Sequence, residues 1–430
     1  MRTAALAAGA SAWGPESGVG SGLRLPGRIL LCSVVLPPHA SGHSAAIDRL
    51  LAPVDPRDYR LICFDVIGEG AFGARGALPL PGRAFRHAQP WLPARPDIGV
   101  RNSARYAAAV GREAVRRARI MAETIRDEGC EVLVATSGTP PLLPSAALAA
   151  RMAGVPLVVL MWDYWRLQSN RFFQRRFAEL AEPRVLQQAA AVGVGNELLA
   201  DAIRRHDGVE PVLMRIPTDE AAFEGHRLPR RREPGAPFRI VYTGAVYDAM
   251  QDSIARVAAL MDAPEFGDVE FHLYGGQSRE DLAAAGIHGR IHVHGWVNPP
   301  EIYRIHREAD ALLLPLAFSG ELRDIIRTSN TTKLGDYLAS GRPILVNAPR
   351  ESFVNWFARR HGCGLPVESD RPEALGRAIH ALKQDPALGD RIGQRGLEAA
   401  QREFDPASSR RQFVAMIDVA LSDRRGRGRG

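Results

Sequence analysis

DALLLPLAFSGELRDIIRTSNTTKLGDYLASGRPILVNAP, residues 310–349, is the stretch that decides the fold. It opens on an apolar run, ALLLPLAF (311–318), with the length and composition of a strand buried on both faces. A polar loop carrying Arg323 and Arg327 follows. Ser329, Asn330 and Thr331 stand where a helix N-cap belongs. TTKLGDYLAS (331–340) has helical apolar spacing and is stopped by Gly341, and PILVNAP (343–349) is the next buried strand. Strand, helix and strand in this order make a parallel crossover unit. A helix start offers free N–H groups and partial positive charge, which suits phosphate. Lys333 lies in its first turn, Arg323 and Arg327 add positive charge just before it, and Asp336 lies one turn on, within reach of ribose hydroxyls. The plainer alternative is an ordinary capped helix with a solvated lysine.

The same alternation extends outward in both directions. Upstream lie the strand FRIVYTG (238–244), running into a glycine turn, a helix with Ile254, Val257 and Leu260, and the strands VEFHLYGG (269–276) and IHVHGW (291–296). Downstream, 372–401 reads as helical. Residues 225–237, GHRLPRRREPGAP, are charged, proline-rich and aperiodic, and read as a linker. Before them a first series holds the strands RILLCSVVL (28–36), YRLICFDV (59–66), CEVLVATS (130–137) and PLVVLMWDYW (156–165), with a long helix over 102–128. Residues 67–100 read as irregular. The expected organisation is an extension over 1–26 without structure, a domain over 27–224, the linker, a domain over 238–404, a helix over 405–423 and an unstructured Arg/Gly tail over 424–430. Two α/β domains in 430 residues agree with the size at which single cores stop growing.

Composition excludes more than it selects. At 46% apolar and 24% charged residues the chain is ordinary for a globular protein, and no apolar run reaches the ~18 residues of a membrane span. Net charge is +7, but the tail RRGRGRG carries four arginines, and without them +3 remains, which does not argue for nucleic acid as a partner. Cys32, Cys63, Cys130 and Cys363 stand singly and are expected as buried free thiols in a reducing cytoplasm. Neither G-x-x-x-x-G-K-[ST] nor G-x-S-x-G occurs, which excludes a P-loop ATPase and a nucleophile-elbow hydrolase. His288, His292 and His294 alternate in and beside a strand and read as structural histidines, with no metal expected. RLQSNRFFQRRFAEL (166–180) mixes Arg with Phe172, Phe173 and Phe177; it is either a membrane-surface helix or one whose Phe residues enter the core.

TTKLGDYLASGRPIL resembles the donor-binding segment of glycosyltransferases of the GT-B fold, especially retaining family 4 (group 1) and its relatives. The resemblance covers 238–404 closely, through RIVYTGAV, HLYGG and VHGWVNPPEIYRIHREADALLLP, and 28–220 more loosely, through PPHASGHS, LMWDYW and VLMRIPTDE. It implies two Rossmann-like parallel-sheet domains facing a cleft, and transfer of a sugar from a nucleotide-sugar to a glycan, lipid-linked or natural-product acceptor, with retention and without a metal or other cofactor. Implied donor-binding residues are Gly42, His43, Gly244, Gly275, Trp296, Val297, Arg323, Arg327, Ser329, Asn330, Thr331, Lys333 and Asp336. In that scheme Gly244 admits the diphosphate, Trp296 and Val297 flank the base, Asn330, Thr331 and Lys333 hold phosphates, and Asp336 takes the place of a ribose-binding Glu. Asp163 and Thr328 stand at positions implied to be catalytic.

Two departures stand out. Thr328 occupies a position where many members carry a Glu, and GAVYDAMQDS lacks the cations that usually follow the first glycine turn. Arg323, Arg327 and Lys333 are the expected substitutes. The departures keep two alternatives open: a non-catalytic sugar-nucleotide or glycan-binding protein, and a sugar-nucleotide epimerase, both on the same fold. The expected location is cytoplasmic, with peripheral contact at the inner membrane face.

Overall fold

The computed structural model describes residues 22–37, 41–65, 80–88, 100–138, 141–167, 172–224, 232–318, 323–329 and 331–427. The expected extension up to residue 21, the linker over 225–231, Asn330 and the last three residues of the tail lie outside the described residues. The chain divides into two units, 1–215 with 407–430, and 216–406.

The first unit holds seven parallel strands: β1 Ile29–Ser33, β2 Tyr59–Asp65, β3 Ala84–Ala88, β4 Val132–Thr136, β5 Leu157–Met161, β6 Ala191–Val194 and β7 Val212–Leu213. Their order is β3-β2-β1-β4-β5-β6-β7. Helices α1 Gly42–Leu51, α2 Val100–Asp127, α3 Leu142–Ala153, α4 Phe172–Gln188 and α5 Glu197–Asp207 connect them. β1, β4, β5 and β6 are buried along their whole length, as strands covered by helices on both faces must be.

The second unit repeats the plan. β8 Phe238–Thr243, β9 Val269–Tyr274, β10 Ile291–His294, β11 Ala311–Pro315, β12 Ile344–Asn347 and β13 Leu365–Val367 are parallel, in the order β10-β9-β8-β11-β12-β13. The helices are α6 Gln251–Leu260, α7 Arg279–Ala284, α8 Pro299–Glu308, α9 Arg323–Thr328, α10 Lys333–Ala339, α11 Phe353–His361, α12 Pro372–Gln384 and α13 Pro386–Glu403. A last helix, α14 Pro406–Arg427, returns to the first unit. Each sheet is the doubly wound order in which the chain reverses direction beside its first strand, and ligands bind at the carboxyl ends of the strands flanking that point. In the second unit this places the site after β8 and β11.

Several expectations are corrected. Residues 22–26 are ordered: Leu23 bridges to Val54, Arg24 forks Asp58 through Nε and Nη2 at 2.6 and 2.9 Å, and Leu25 is buried. Residues 67–100, read as irregular, contain β3. The division falls at 215/216 rather than in the aperiodic segment: Thr218 N–H donates to the Phe404 carbonyl and Tyr303 hydroxyl to Asp219, which holds 216–224 on the second unit. The last helix runs to Arg427, so 424–427 are helical, and its Arg410 donates to the Arg49 carbonyl at 3.0 Å. All four cysteines are buried thiols that form no disulfide.

The Arg/Phe stretch is split. Arg166 leaves it to join a buried network in which Glu182 accepts from Arg166 Nε at 2.7 Å and from Trp165 N–H at 3.1 Å. Asp207 accepts from Arg166 Nη2 and, at 2.7 Å, from the Tyr164 hydroxyl. Phe177 packs on the core beside Trp165, the side chains of Phe172 and Phe173 lie outside the description, and Arg175 and Arg176 pair with Glu179. Among the described residues no helix is long and apolar enough to cross a membrane.

Candidate functional site

β8, β9 and β10 end in step. Gly244 N–H donates to the Tyr274 carbonyl at 2.7 Å, and Gly275 N–H to the His294 carbonyl at 3.4 Å. Gly244 has φ +119°, a conformation other residues resist. A Cβ there would lie 2.5 Å from Lys333 Cε and 2.9 Å from Nζ, so the end of that side chain would have to move. The lysine from the start of α10 therefore reaches over the glycine turn at the end of β8. Its ammonium lies 5.3 Å from the Tyr242 ring centroid. Burial pushes it from the ordinary 10.5 down to about 8, with Asp336 pulling the other way. At neutral pH this is a charged ammonium on a half-buried side chain.

The turn is fixed by neighbours. The Tyr242 hydroxyl donates to the Ala245 carbonyl at 2.8 Å, and Gln277 donates to the Val246 carbonyl at 2.7 Å. Thr243 N–H donates to Tyr337 Oη at 3.0 Å, and Thr243 Oγ1 lies 2.9 Å from His306 Nε2. Tyr337 and His306 meet edge to face, so α8 and α10 are locked onto the end of β8 by buried polar contacts. Gly275 is equally constrained, a Cβ there falling 2.7 Å from the Gly244 carbonyl oxygen. Trp296 lies against Gly276 and remains 43% exposed, while Val297 is half-buried.

The structure thus brings together Gly244, Gly275, Trp296, Val297, Lys333 and Asp336 around the ends of β8, β9 and β10. The rest of the donor set is arranged differently from expectation. Arg323 and Arg327 lie on a helix, α9, rather than in a loop. Arg327 is exposed, the Arg323 side chain lies outside the description, and Thr328 is buried at 4%. Ser329, half-buried, precedes the helix without capping it. The N-cap of α10 is Thr332, with no side-chain cap bond, and Thr331 Oγ1 accepts only a long bond, 3.4 Å, from Lys333 N–H.

Sequence reasoning missed Tyr337, His306, Gln277 and Arg256. The Arg256 guanidinium sits 5.0 Å from the Phe318 ring at the exit of β11, and Asp252 accepts from both Arg256 and Phe318 N–H. Its spacing of four residues from Asp252 on a helix was the available signal.

In the first unit, Gly42, His43 and Asp163 gather at the ends of β1, β4 and β5. Gly42 and His43 open α1, whose N-cap Ser41 accepts from Ser44 N–H at 3.2 Å. Ser137 Oγ accepts from Trp162 N–H and Asp163 N–H at 3.3 and 3.4 Å. His43 meets Trp162 edge to face at 4.9 Å. Burial holds it down at about 4, against a hydrogen bond with the Ser137 backbone, so it is neutral at pH 7. Its Nε2 is buried with no hydrogen-bond partner among the described residues.

Among the described residues the one group spaced to hold a metal, Glu270, His272 and His292, lies on β9 and β10 rather than at either of these places, and His288 is exposed and not in it.

Comparisons agree with this geometry. The sequence finds no match among curated proteins. Among solved structures, a glycosyltransferase from Rickettsia africae is 13% identical with a TM-score of 0.61, over 93% of this chain and 100% of that one. HepE from Anabaena, in complex with UDP, is 13% identical with a TM-score of 0.60, over 90% and 98%. Sucrose-phosphate synthase from Thermosynechococcus elongatus is 13% identical with a TM-score of 0.63, over 90% and 97%. At that identity these show the fold. Family models for a glycosyl transferase 4-like domain and a glycosyl transferase-like domain match residues 41–219 and 254–415, one on each parallel sheet. With both models matched in order along the chain, the protein belongs to the GT-B glycosyltransferases of family 4, group 1, and is an enzyme that transfers a sugar.

Proposed function

We propose that the donor is a nucleoside diphosphate sugar, held at the ends of β8, β9 and β10, and that transfer to a glycan or lipid-linked hydroxyl proceeds with retention and without a metal. The observation that carries this reading is Lys333, whose half-buried ammonium lies over the Gly244 turn, where a Cβ would displace it. As the bond from the sugar to the diphosphate breaks, negative charge grows on the leaving oxygen. A preorganised cation stabilises that charge most where water is scarce. Asp336 would accept from ribose hydroxyls, and Trp296 and Val297 would flank the base. Arg256 and Arg327 are candidates for further phosphate contacts. In the first unit the neutral His43 and Asp163 would receive the acceptor hydroxyl.

The test is a thermal-shift screen of nucleoside diphosphates and their sugars, uridine first because the Anabaena neighbour is bound to UDP. A ligand at 100 times its dissociation constant adds about 2.7 kcal/mol of stability. The expected result is one base preferred, with the shift lost in Lys333→Ala. If no nucleoside diphosphate shifts the folded protein, the donor assignment fails.

A further inference from the structure

The outer face of β9 and β10 carries a cluster of imidazoles that the transfer reaction does not use. Burial alternates along β9, so Val269, Phe271 and Leu273 enter the core and Glu270, His272 and Tyr274 share the other face. β10 is the edge strand of the sheet and pairs with β9 in register, His292 opposite His272 and His294 opposite Tyr274. The rings form a stack: His272 on His292 at 4.6 Å, His272 on His294 at 5.3 Å, and Tyr274 on His294 at 4.2 Å.

We infer that Glu270, His272 and His292 form a binding site for a divalent transition metal. One ligand atom from each lies within 4.8 Å of the others. His272 Nε2 and Glu270 Oε2 are 3.0 Å apart. That is close to the ~3.4 Å between two ligands bound at about 2.1 Å in a tetrahedral centre. His292 is exposed, so its ring can turn inward to complete the set, and the same exposure gives the ion a path in. The second nitrogen of His272, Nδ1, lies 3.1 Å from His294 Nε2, which fixes the ring, while Arg239 Nε lies 3.7 Å from Glu270 and a bound metal would compete with it for the carboxylate. Two imidazoles and one carboxylate favour zinc, cobalt, nickel or copper over magnesium or calcium. Three protein ligands leave a position for water. A metal here would staple the edge strand whose end leads directly into Gly295, Trp296 and Val297.

The experiment uses the full chain without a histidine tag, stripped with chelator and titrated with Co²⁺ while visible absorption is read. The expected result is a cobalt spectrum saturating at about one equivalent and displaced by Zn²⁺. His272→Ala and His292→Ala should weaken it at least tenfold, and the near-isosteric Glu270→Gln should do the same without disturbing the strand. His288→Ala, an exposed histidine outside the cluster, should titrate like the parent. Metal-free melting curves establish that each variant is folded. A parent that shows no cobalt spectrum overturns the inference. So does a folded His272→Ala or His292→Ala that titrates like the parent, or a His288→Ala that loses as much as they do.

Discussion

Lys333→Met separates function from stability at a single side chain. At pH 7 the lysine is charged in both folded and unfolded chains, so the folded state carries the cost of its partial desolvation. The fall from 10.5 to about 8 corresponds to at most about 3 kcal/mol, an upper bound for a side chain that is half-buried, already net of attraction to Asp336. Methionine keeps the chain length and removes the charge. Its stability at pH 7 should equal or exceed the parent's, by up to about 3 kcal/mol.

The pH dependence has a definite sign. The folded value lies below the unfolded one, so between about 8 and 10.5 the unfolded chain holds more protons and the parent's stability rises with pH. The methionine variant lacks this rise, and the two converge above that window. Donor turnover should move oppositely, falling about ten- to hundred-fold for loss of one charge-assisted contact of about 1.5–3 kcal/mol. Urea denaturation at pH 7, 9 and 10 and steady-state kinetics with the screened donor measure both. A variant that loses more than about 1 kcal/mol at pH 7 yet turns over like the parent would refute the reasoning.

Other substitutions test the surroundings of that lysine. Gly244→Ala should cost about 1–3 kcal/mol for its backbone conformation, measured by denaturation. It should lower donor use as well, because the new Cβ meets the movable end of Lys333 and displaces the ammonium. Tyr337→Phe should cost about 1–3 kcal/mol, because it leaves the buried Thr243 N–H without its acceptor. Trp296→Ala should leave stability within about 0.5 kcal/mol, since the ring is 43% exposed, but weaken nucleotide binding by about 1–3 kcal/mol in calorimetry.

The sequence showed most of the sheets because their inner strands are written as unbroken apolar runs. The run 311–318 contains β11, and 157–161 is all Leu, Val and Met. It hid β3, AFRHA, because an edge strand carries charge and has no such run. It placed Lys333 and Gly244 in one site through family resemblance, but not their contact, which joins positions far apart in the chain. The Thr243, His306 and Tyr337 cluster was hidden for the same reason, its members lying 63 and 94 residues apart. The α10 cap was misplaced because Ser, Asn and Thr in a row all satisfy a capping pattern, while the helix starts one residue beyond them, after Thr332.

The two sheets share an order around their first strands, but at their carboxyl ends one has a charged lysine and the other a neutral histidine. In the second unit burial lowers Lys333 only to about 8, which leaves it charged at neutral pH. Such a group gains from an incoming anion. In the first unit burial takes His43 down to about 4, so the ring offers a neutral nitrogen, its Nε2, with no partner among the described residues. A neutral imidazole gives a phosphate no charge to pair with, but it matches a hydroxyl, which can donate to it or accept from it. In the proposed reading, the charged lysine of the second unit would meet the diphosphate and the neutral, half-buried His43 of the first would meet the accepting hydroxyl.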